Sequence, residues 1–281
     1  MTFLITGATG NVGRPLVNHL LDAGADVRAV SRNPSSANLP AAAQVVASPF
    51  DGLRGATAIF LNSRALGDQM AELVAAATPS DIQRLVALSA INADDDDARQ
   101  PSRFRGDRNR EAEQLASASG IPWVSLRPAV FASNFIGMWA AQIRGGDIVY
   151  GPHAGASLAP IADADIAAVA AHAFLSDDFL RQSIPMTGPH ALTNAELVGV
   201  IGKVLGRPLR YQEVPARVCR DAFVGMGFPA GFADAYIAML ASTVGHPAVV
   251  THDVGKILGR PATSFADWAA DHRTAFSDGD L

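Results

Sequence analysis

Three glycines near the amino end constrain the fold more than any other feature of this sequence. Gly7, Gly10 and Gly13 have the spacing G-x-x-G-x-x-G, directly after an apolar stretch at residues 3–6 and directly before a segment with helical spacing. Residues without side chains let backbone N–H groups approach a pyrophosphate at the start of a helix. Glycines in unrelated turns are common, but this context predicts a dinucleotide-binding loop.

Each glycine of this loop has a separate expected role. Gly7 makes the tight turn, Gly10 allows the close approach of the pyrophosphate, and Gly13 lets the helix pack on the strand. The predicted cofactor-binding residues of the loop are Gly7, Thr9, Gly10, Asn11 and Val12.

Short apolar runs recur through the first half of the chain. They lie at residues 3–6, 26–30, 56–61 and 84–89, with weaker ones at 44–47 and 123–126. Between the first two, apolar residues fall on one helical face, and Gly24 stands where that helix should stop. Strands without polar alternation suit a parallel sheet covered on both faces. The pattern predicts an α/β fold with a doubly wound parallel sheet, the Rossmann arrangement.

The pattern loosens after residue 145. Glycine and proline gather at 145–146, 151–152 and 183–189, and helical segments are predicted at 163–175, 194–205, 216–226 and 264–274. We expect residues 1–145 to form the dinucleotide-binding core, with elements of 160–190 returning to it. Residues 146–281 are expected to form mainly a smaller, partly helical substrate lobe, because pockets commonly form at such a junction.

Composition excludes several classes of function. The 281 residues are 49% hydrophobic and 17% charged, as in a globular chain, and the net charge of −5 without a lysine-rich block argues against nucleic acid as a ligand. The only cysteine, Cys219, cannot form an internal disulfide, and no metal-ligand spacing is present. No window approaches the ~20 apolar residues that cross a bilayer, and no basic leader precedes residue 3. We expect a soluble cytoplasmic protein that binds small molecules, as a monomer or a homodimer.

The end of the second strand indicates which dinucleotide is bound. An Asp or Glu there would hold the ribose hydroxyls of NAD, but the chain continues Ser31, Arg32, Asn33. The guanidinium of Arg32 suits a phosphate, with neutral donors on either side. The sequence therefore predicts NADP(H) in preference to NAD(H); the alternative is an ordinary surface arginine.

Further cofactor contacts are predicted after later strands, where a doubly wound fold forms its ligand crevice. Asn62, Ser63 and Arg64 end the fourth strand, and Ser89 ends the fifth. Phe50, after the third, is a candidate for the adenine side or a loop filler. The charged stretch at 94–110 is either a solvated loop or a lid over the pocket.

Several segments together resemble a known family. Residues 6–13, 31–34 and 126–128, followed by Phe131 and Asn134, resemble the NmrA-like group of atypical short-chain dehydrogenases/reductases. The likeness continues at 163–166, 258–261 and 264–268. It implies a Rossmann core, NADP(H), a C-terminal lobe that shapes the substrate site, and Pro128 near the nicotinamide. The group includes quinone and triphenylmethane reductases, isoflavone-type reductases and nucleotide-sensing regulators, so the resemblance leaves catalysis open.

The usual proton relay of short-chain dehydrogenases is missing. Their Tyr-x-x-x-Lys pair does not occur at Tyr150, Tyr211 or Tyr236, and Asn109 stands where the NmrA-like pattern often has lysine or histidine. The remaining candidates for a catalytic role are Ser89, Arg108 and Tyr150. Candidates for substrate binding are Phe131, Asn134, Trp139 and His153, with core packing as the alternative for the two large aromatic residues.

Two functions follow from these observations. The first is an NADPH-dependent reductase that transfers hydride to a small or medium apolar acceptor, such as a quinone or an enone, because the cofactor supplies the chemistry. The alternative is a non-catalytic protein that senses NADP(H) and binds a protein partner.

Overall fold

Eleven strands are formed by the residues that the computed structural model describes, 1–277. They are β1 (Thr2–Ile5), β2 (Asp26–Val30), β3 (Gln44–Val46), β4 (Ala58–Asn62), β5 (Arg84–Leu88), β6 (Trp123–Pro128), β7 (Ile148–Gly151), β8 (Ser157–Leu158), β9 (Gln182–Met186), β10 (Leu192–Thr193) and β11 (Arg210–Glu213). Seven of them form one sheet in the order β3-β2-β1-β4-β5-β6-β9, and every pairing in it is parallel.

Helices cover this sheet and build the lobe above it. They are α1 (Gly13–Asp22), α2 (Ser63–Leu66), α3 (Gln69–Ala77), α4 (Asn109–Ala118), α5 (Asn134–Gly145), α6 (Asp163–Leu175), α7 (Asn194–Leu205), α8 (Ala216–Gly225), α9 (Ala230–Ala241), α10 (Asp253–Leu258), α11 (Phe265–Asp271) and α12 (Arg273–Phe276). Short 3₁₀ turns lie at Pro34–Ser36, Asp97–Arg99 and Pro101–Arg105.

Both faces of the sheet are buried, which is why its strands are apolar without alternation. Phe3 and Ile5 of β1 pack with α1 and α6 on one face, whereas Leu4 packs with α3 and α4 on the other. The strand order reverses beside β1, between β1 and β4, where open α/β sheets form their ligand crevice. The predicted doubly wound parallel sheet is confirmed.

The strand β9 is a difference from the sequence reading, which placed a glycine- and proline-rich connection at 183–189. Pro185 lies inside β9, and proline is tolerated there because β9 is the edge strand of the sheet. Ile184 and Met186 are buried against the α6 side. Residues 160–190 therefore supply the strand β9 to the sheet and the helix α6 that covers one face of it.

The lobe has a core of its own. It is formed largely by α5, α7, α9, α11 and α12, together with β7. Phe135, Trp139 and Ile143 of α5 belong to this core, so the lobe's packing begins before residue 146. The helices α9 and α10 were not predicted: α9 is apolar on nearly all sides and shows no helical periodicity, and α10 is only six residues long. None of the described helices is both long and apolar enough to cross a membrane.

Candidate dinucleotide site

The glycine loop is shaped so that side chains are excluded at two positions. Gly7 has a φ of 67°, and a Cβ there would lie 2.8 Å from Asn62 Nδ2. A Cβ on Gly13 would overlap the carbonyl oxygen of Gly7 and lie 2.8 Å from the Cα of Ala8. The helix α1 can therefore begin directly against the end of β1, and the N–H groups of its first turn have no partner within the helix. This cradle fits a pyrophosphate.

Thr6 ties the loop to the next strand of the sheet. Its buried hydroxyl donates to the carbonyl of Phe60 at 2.6 Å and accepts from the N–H of Asn62 at 2.9 Å. Asn62 in turn accepts a hydrogen bond from Ala65 N at 3.2 Å and caps α2. The predicted residues Gly7, Asn62 and Ser63 are thus brought together where β1 and β4 end.

Arg14 holds the segment that carries the predicted phosphate-recognition residues. Its guanidinium donates to the carbonyl of Asn38, and to that of Ala37 at 3.2 Å. Ser31 is buried and its hydroxyl accepts from the N–H of Asn33 at 3.3 Å, which forms a tight turn at the end of β2. Arg32 between them is exposed, and within residues 1–277 no carboxylate forms an ion pair with it. A side chain in this state is free to bind an anion.

Ser63 and Ser89, at the carboxyl ends of β4 and β5, bond to the backbone of Arg108 and Asn109. The buried hydroxyl of Ser89 donates to the carbonyl of Asn109 at 3.1 Å, and the N–H of Arg108 donates to Ser63 Oγ at 3.0 Å. The Arg108 guanidinium itself donates to the carbonyls of Arg103 and Asp107, at 3.0 and 2.8 Å. Asn109 begins α4, at the position where the family pattern often has lysine or histidine, and its side-chain amide cannot act as an acid. The structure supplies a polar edge here without a residue that donates a proton at neutral pH.

The charged stretch after β5 is ordered by ion pairs. Arg103 pairs with Asp97 at 3.3 Å and with Glu111 at 2.9 Å, and two short 3₁₀ turns pack against α9 of the lobe. Arg127 pairs with Asp94 at 2.6 Å and with Glu113 at 2.7 Å, which fixes the start of the stretch to β6. The stretch therefore bridges the sheet edge to the lobe.

Some predicted residues lie apart from this edge or have their side chains occupied by packing. Trp139 is 4% exposed and packs on Phe135 and Tyr211, at ring-centre distances of 4.5 and 6.0 Å. Tyr150 is 52% exposed on β7, which pairs with β11 of the lobe. His153 follows it with a φ of 49°, and its carbonyl accepts from Asn194 at 3.0 Å.

The other predicted residues keep positions beside the crevice or the sheet. Pro128 is buried at the end of β6, Phe131 is half-buried after it, and Asn134 is exposed at the start of α5. Phe50 is half-buried beside the α3 face and lines a hollow of about 390 Å³ with residues that precede β4 and β5. Their contacts with ligands stay predictions.

A chain of hydrogen bonds joins the glycine loop to the start of α6. Asn11 Nδ2 donates to Ser133 Oγ at 3.0 Å, and that hydroxyl donates to Asp163 Oδ1 at 2.8 Å. Burial raises the pKa of Asp163 above its usual value, although the bonds from Ser133 and the charge of His272 oppose the rise. A cavity of about 540 Å³ opens beside this chain, with Trp268 and His272 on its far wall.

Ser133, Asp163 and Arg14 are residues that sequence reasoning missed as parts of the site. Their contacts span 23 to 122 residues along the chain, and no local pattern reports them. The start of α6 did carry a signal, because it belongs to a segment that resembles the family. Within residues 1–277, no three His, Cys, Asp or Glu side chains are grouped so that they could hold a metal ion.

The fold and the cradle together define a dinucleotide-binding Rossmann protein. Residues 7–177 match the family described as "NAD(P)H-binding". The chain belongs to this NAD(P)H-binding family, and it is an oxidoreductase that binds a nicotinamide cofactor. The predicted resemblance to the NmrA-like group is confirmed at the level of the fold.

Two relatives match over almost their whole length. The chain is 34% identical over 284 residues to "(4-alkanoyl-5-oxo-2,5-dihydrofuran-3-yl)methyl phosphate reductase" of Streptomyces griseus, covering 98% of this chain and 99% of the relative. It is 30% identical over 286 residues to "NAD(P)H azoreductase" of Xenophilus azovorans, covering 97% and 98%.

Solved structures share the complete fold. The NADPH-dependent quinone oxidoreductase QOR2 of Escherichia coli superposes with a TM-score of 0.81 at 21% identity, covering 98% of this chain and 100% of that one. The triphenylmethane reductase of Citrobacter sp. gives 0.77 at 17%, covering 97% and 99%. The regulator NmrA gives 0.72 at 16%, covering 96% and 94%.

Proposed function

We propose that the protein is an NADPH-dependent reductase whose acceptor is a small or medium apolar molecule with an electron-poor conjugated double bond, such as an enone or a quinone. One observation carries the choice of acceptor. The hydroxyl of Ser89 is committed to the carbonyl of Asn109, and Asn109 occupies the position where an acid is often found. An acceptor that spreads negative charge over a conjugated system does not need a proton at the moment of reduction.

The relatives support this class of acceptor. The relative from S. griseus is named for a substrate whose ring carbonyl is conjugated with a double bond, and the one from X. azovorans is named for the reduction of an azo compound. Both substrates contain an electron-poor multiple bond. The names therefore favour the reductase over the alternative of a non-catalytic sensor. The support for a sensor is the structural similarity to NmrA, which at 16% sequence identity is a similarity of fold.

The preference for NADPH over NADH is part of the proposal. Arg32 and the turn around it supply donors where an NAD-specific site would carry a carboxylate. Bound NADPH supplies a hydride at its nicotinamide ring. Gly7 and Gly13 hold the pyrophosphate close to the backbone, and Asn62, Ser63, Ser89 and Pro128 border the nicotinamide end.

The lobe formed mainly by residues 146–281 completes the pocket in this proposal. The edge of the sheet orients the acceptor, and the lobe excludes water from it. The proton that completes the reduction comes from solvent. We place the protein in the cytoplasm, where a chain with the single cysteine Cys219 needs no disulfide, and its oligomeric state is either monomer or homodimer.

The test is NADPH oxidation with matched acceptors. We expect turnover with a conjugated enone and a naphthoquinone, and none with the saturated ketone of the same carbon skeleton. Reduction of the saturated ketone at a similar rate would overturn the choice of acceptor. The sensor would be favoured by two results together: no activity with any of these acceptors, and a stoichiometric protein partner. That partner would bind tightly, with an affinity that differs between the NADP⁺ and the NADPH complex.

A further inference from the structure

The segment of residues 94–108, which we call the roof segment, lies above the carboxyl ends of β4 and β5. It leaves the end of β5 and returns at Arg108, whose N–H bonds to Ser63 Oγ. Its middle rests on the lobe, because a Cβ on Gly231 of α9 would overlap the ring of Phe104. The roof segment thus spans from the predicted nicotinamide end of the crevice to α9.

Arg105 is held in this segment by aromatic rings. Its guanidinium carbon lies 5.2 Å from the ring centre of Phe228 and 5.9 Å from that of Phe232. The two rings stack on each other with centres 4.7 Å apart, so they form one platform. A guanidinium on an aromatic face is fixed in orientation, and its N–H groups stay free at the edge of the plane.

Arg105 lacks the acidic partner that its neighbours have. Within the described residues, Arg103 pairs with Asp97 and Glu111, and Arg64 pairs with Asp107 at 2.5 Å, but no carboxylate lies within ion-pair distance of Arg105. Partial burial and the nearby charge of Arg64 both lower the pKa of Arg105. An anion placed here would satisfy the guanidinium and relieve the repulsion.

Positive charge is in excess around this point. The guanidinium of Arg64 in α2 lies near that of Arg105 in the roof segment, and Asp107 is the carboxylate that faces both, already paired to Arg64. Arg108 donates to backbone carbonyls and interacts with the charge of Glu111, so the excess charge belongs to Arg64 and Arg105. Like charges are brought together in this way at sites that bind anions.

We propose that Arg105, assisted by Arg64, forms a subsite for an anionic substituent of the acceptor, such as a phosphate, sulfonate or carboxylate. The conjugated part of the acceptor then lies toward Ser89, and the anionic group lies under the roof segment. This inference rests on the proposed function and deepens it: the conjugated part of the preferred acceptor is apolar, and one substituent on it carries a negative charge.

The experiment compares a naphthoquinone with its sulfonated derivative as acceptors, at fixed saturating NADPH. We expect the wild-type protein to have the lower KM for the sulfonated compound. In Arg105→Gln, the ratio of the KM of the sulfonated to that of the parent compound rises about tenfold, the effect of one charge-assisted hydrogen bond. Arg105→Lys keeps the charge and restores part of the preference.

Arg99→Gln is the matched control. Arg99 belongs to the same segment, is partly exposed and lies 3.8 Å from Asp96, so this variant removes the same charge away from the aromatic platform. Its KM ratio stays at the wild-type value, and the KM for NADPH is unchanged in both glutamine variants. An equal change of the ratio in Arg99→Gln, or an unchanged ratio in Arg105→Gln, overturns the subsite.

Calorimetry separates failure of the subsite from failure of the proposed function. If no acceptor is reduced, the proposed function fails, and the subsite is tested by titrating naphthalene sulfonate into the complex with NADP⁺. Binding that weakens about tenfold in Arg105→Gln supports the subsite, and no binding overturns it.

Competition by inorganic phosphate shows whether the free anion alone is recognised. Competition at millimolar phosphate supports the subsite, and unaltered sulfonate binding at saturating phosphate contradicts it.

Discussion

Asp165 and Arg260 join two distant segments of the chain through a buried carboxylate. Asp165 in α6 is 0% exposed, and its Oδ1 accepts from Arg260 Nη2 at 2.6 Å. The other carboxylate oxygen accepts from the N–H of Thr263 at 2.7 Å. The two segments are among those that carry the family resemblance, so the pair gives that resemblance a physical cause: it fixes the C-terminal helices on α6.

Variants of Asp165 and Arg260 are expected to lose different amounts of folding stability. Arg260→Met leaves the carboxylate of Asp165 buried with only Thr263 as a donor, and we expect a loss of about 3 kcal/mol in the free energy of unfolding. Asp165→Asn removes the buried charge and leaves a half-exposed guanidinium to water, so it costs less. Urea unfolding of both variants tests this order. A larger loss in Asp165→Asn would contradict it.

Gly13 should be intolerant of even a methyl group. In Gly13→Ala the new Cβ overlaps backbone atoms of Gly7 and Ala8, and the start of α1 must move away from the sheet. We expect binding of NADPH to weaken by about a hundredfold or more, since every backbone contact of the loop shifts. Gly199→Ala is the control, because nothing lies within 4 Å of that Cβ inside α7 and alanine favours a helix. Equal NADPH affinity in the two variants would contradict the claim that the glycine loop binds the pyrophosphate.

Ser133 is expected to act on cofactor binding through Asn11. Ser133→Ala removes the hydrogen bond that holds the amide of Asn11 at the glycine loop, and we expect the Kd for NADPH to rise about threefold to tenfold. Ser117→Ala removes a hydroxyl that bonds within α4 and should leave the Kd unchanged. Calorimetric titration of both variants gives the comparison. An unaltered Kd in Ser133→Ala would show that the hydrogen bond from Asn11 to Ser133 does not contribute to NADPH binding.

Glu113 should make stability depend on pH in the acid range. Burial alone would raise the pKa of this carboxyl, but hydrogen bonds from Arg127, Ser125 and Ser183, and the charge of Arg127, outweigh it and lower the pKa below its ordinary value. Its stabilising contribution is therefore present above about pH 4.3, the value in an unfolded chain, and is lost as the pH falls through the lower folded value. The urea midpoint of Glu113→Gln should fall less steeply than that of the wild type below about pH 4.3. Parallel curves would contradict this assignment.

The sheet could be predicted because its signals are local. Runs of apolar residues marked β1, β2, β4 and β5, and the glycine loop marked the first crossover. The same reasoning failed at β9, whose Pro185 suggested a loop, since the proline is tolerated only through the edge position of that strand. It also failed at α9, because the exposed face of this helix carries mostly alanine, and the contrast between polar and apolar residues that identifies a helix is missing.

The candidate site was predictable only in part, for a related reason. Residues at strand ends, such as Asn62 and Ser89, follow from the rule that parallel strands present their carboxyl ends at one edge. The support for the loop from Ser133 depends on α5 and α6 approaching the loop. The aromatic platform under Arg105 depends on α9 packing against the roof segment. Such contacts are set by tertiary packing and have no signature along the chain.

The central claim is that the glycine loop and Arg32 bind NADPH, with Arg32 recognising the phosphate on the adenosine ribose. Calorimetric titration of the wild-type protein and of Arg32→Ala with NADPH and NADH tests it most directly. We expect the wild type to bind NADPH at least about tenfold more tightly than NADH, and Arg32→Ala to lose most of that difference while its affinity for NADH is retained. Equal affinity of the wild type for the two coenzymes, or no binding of either, would contradict the claim.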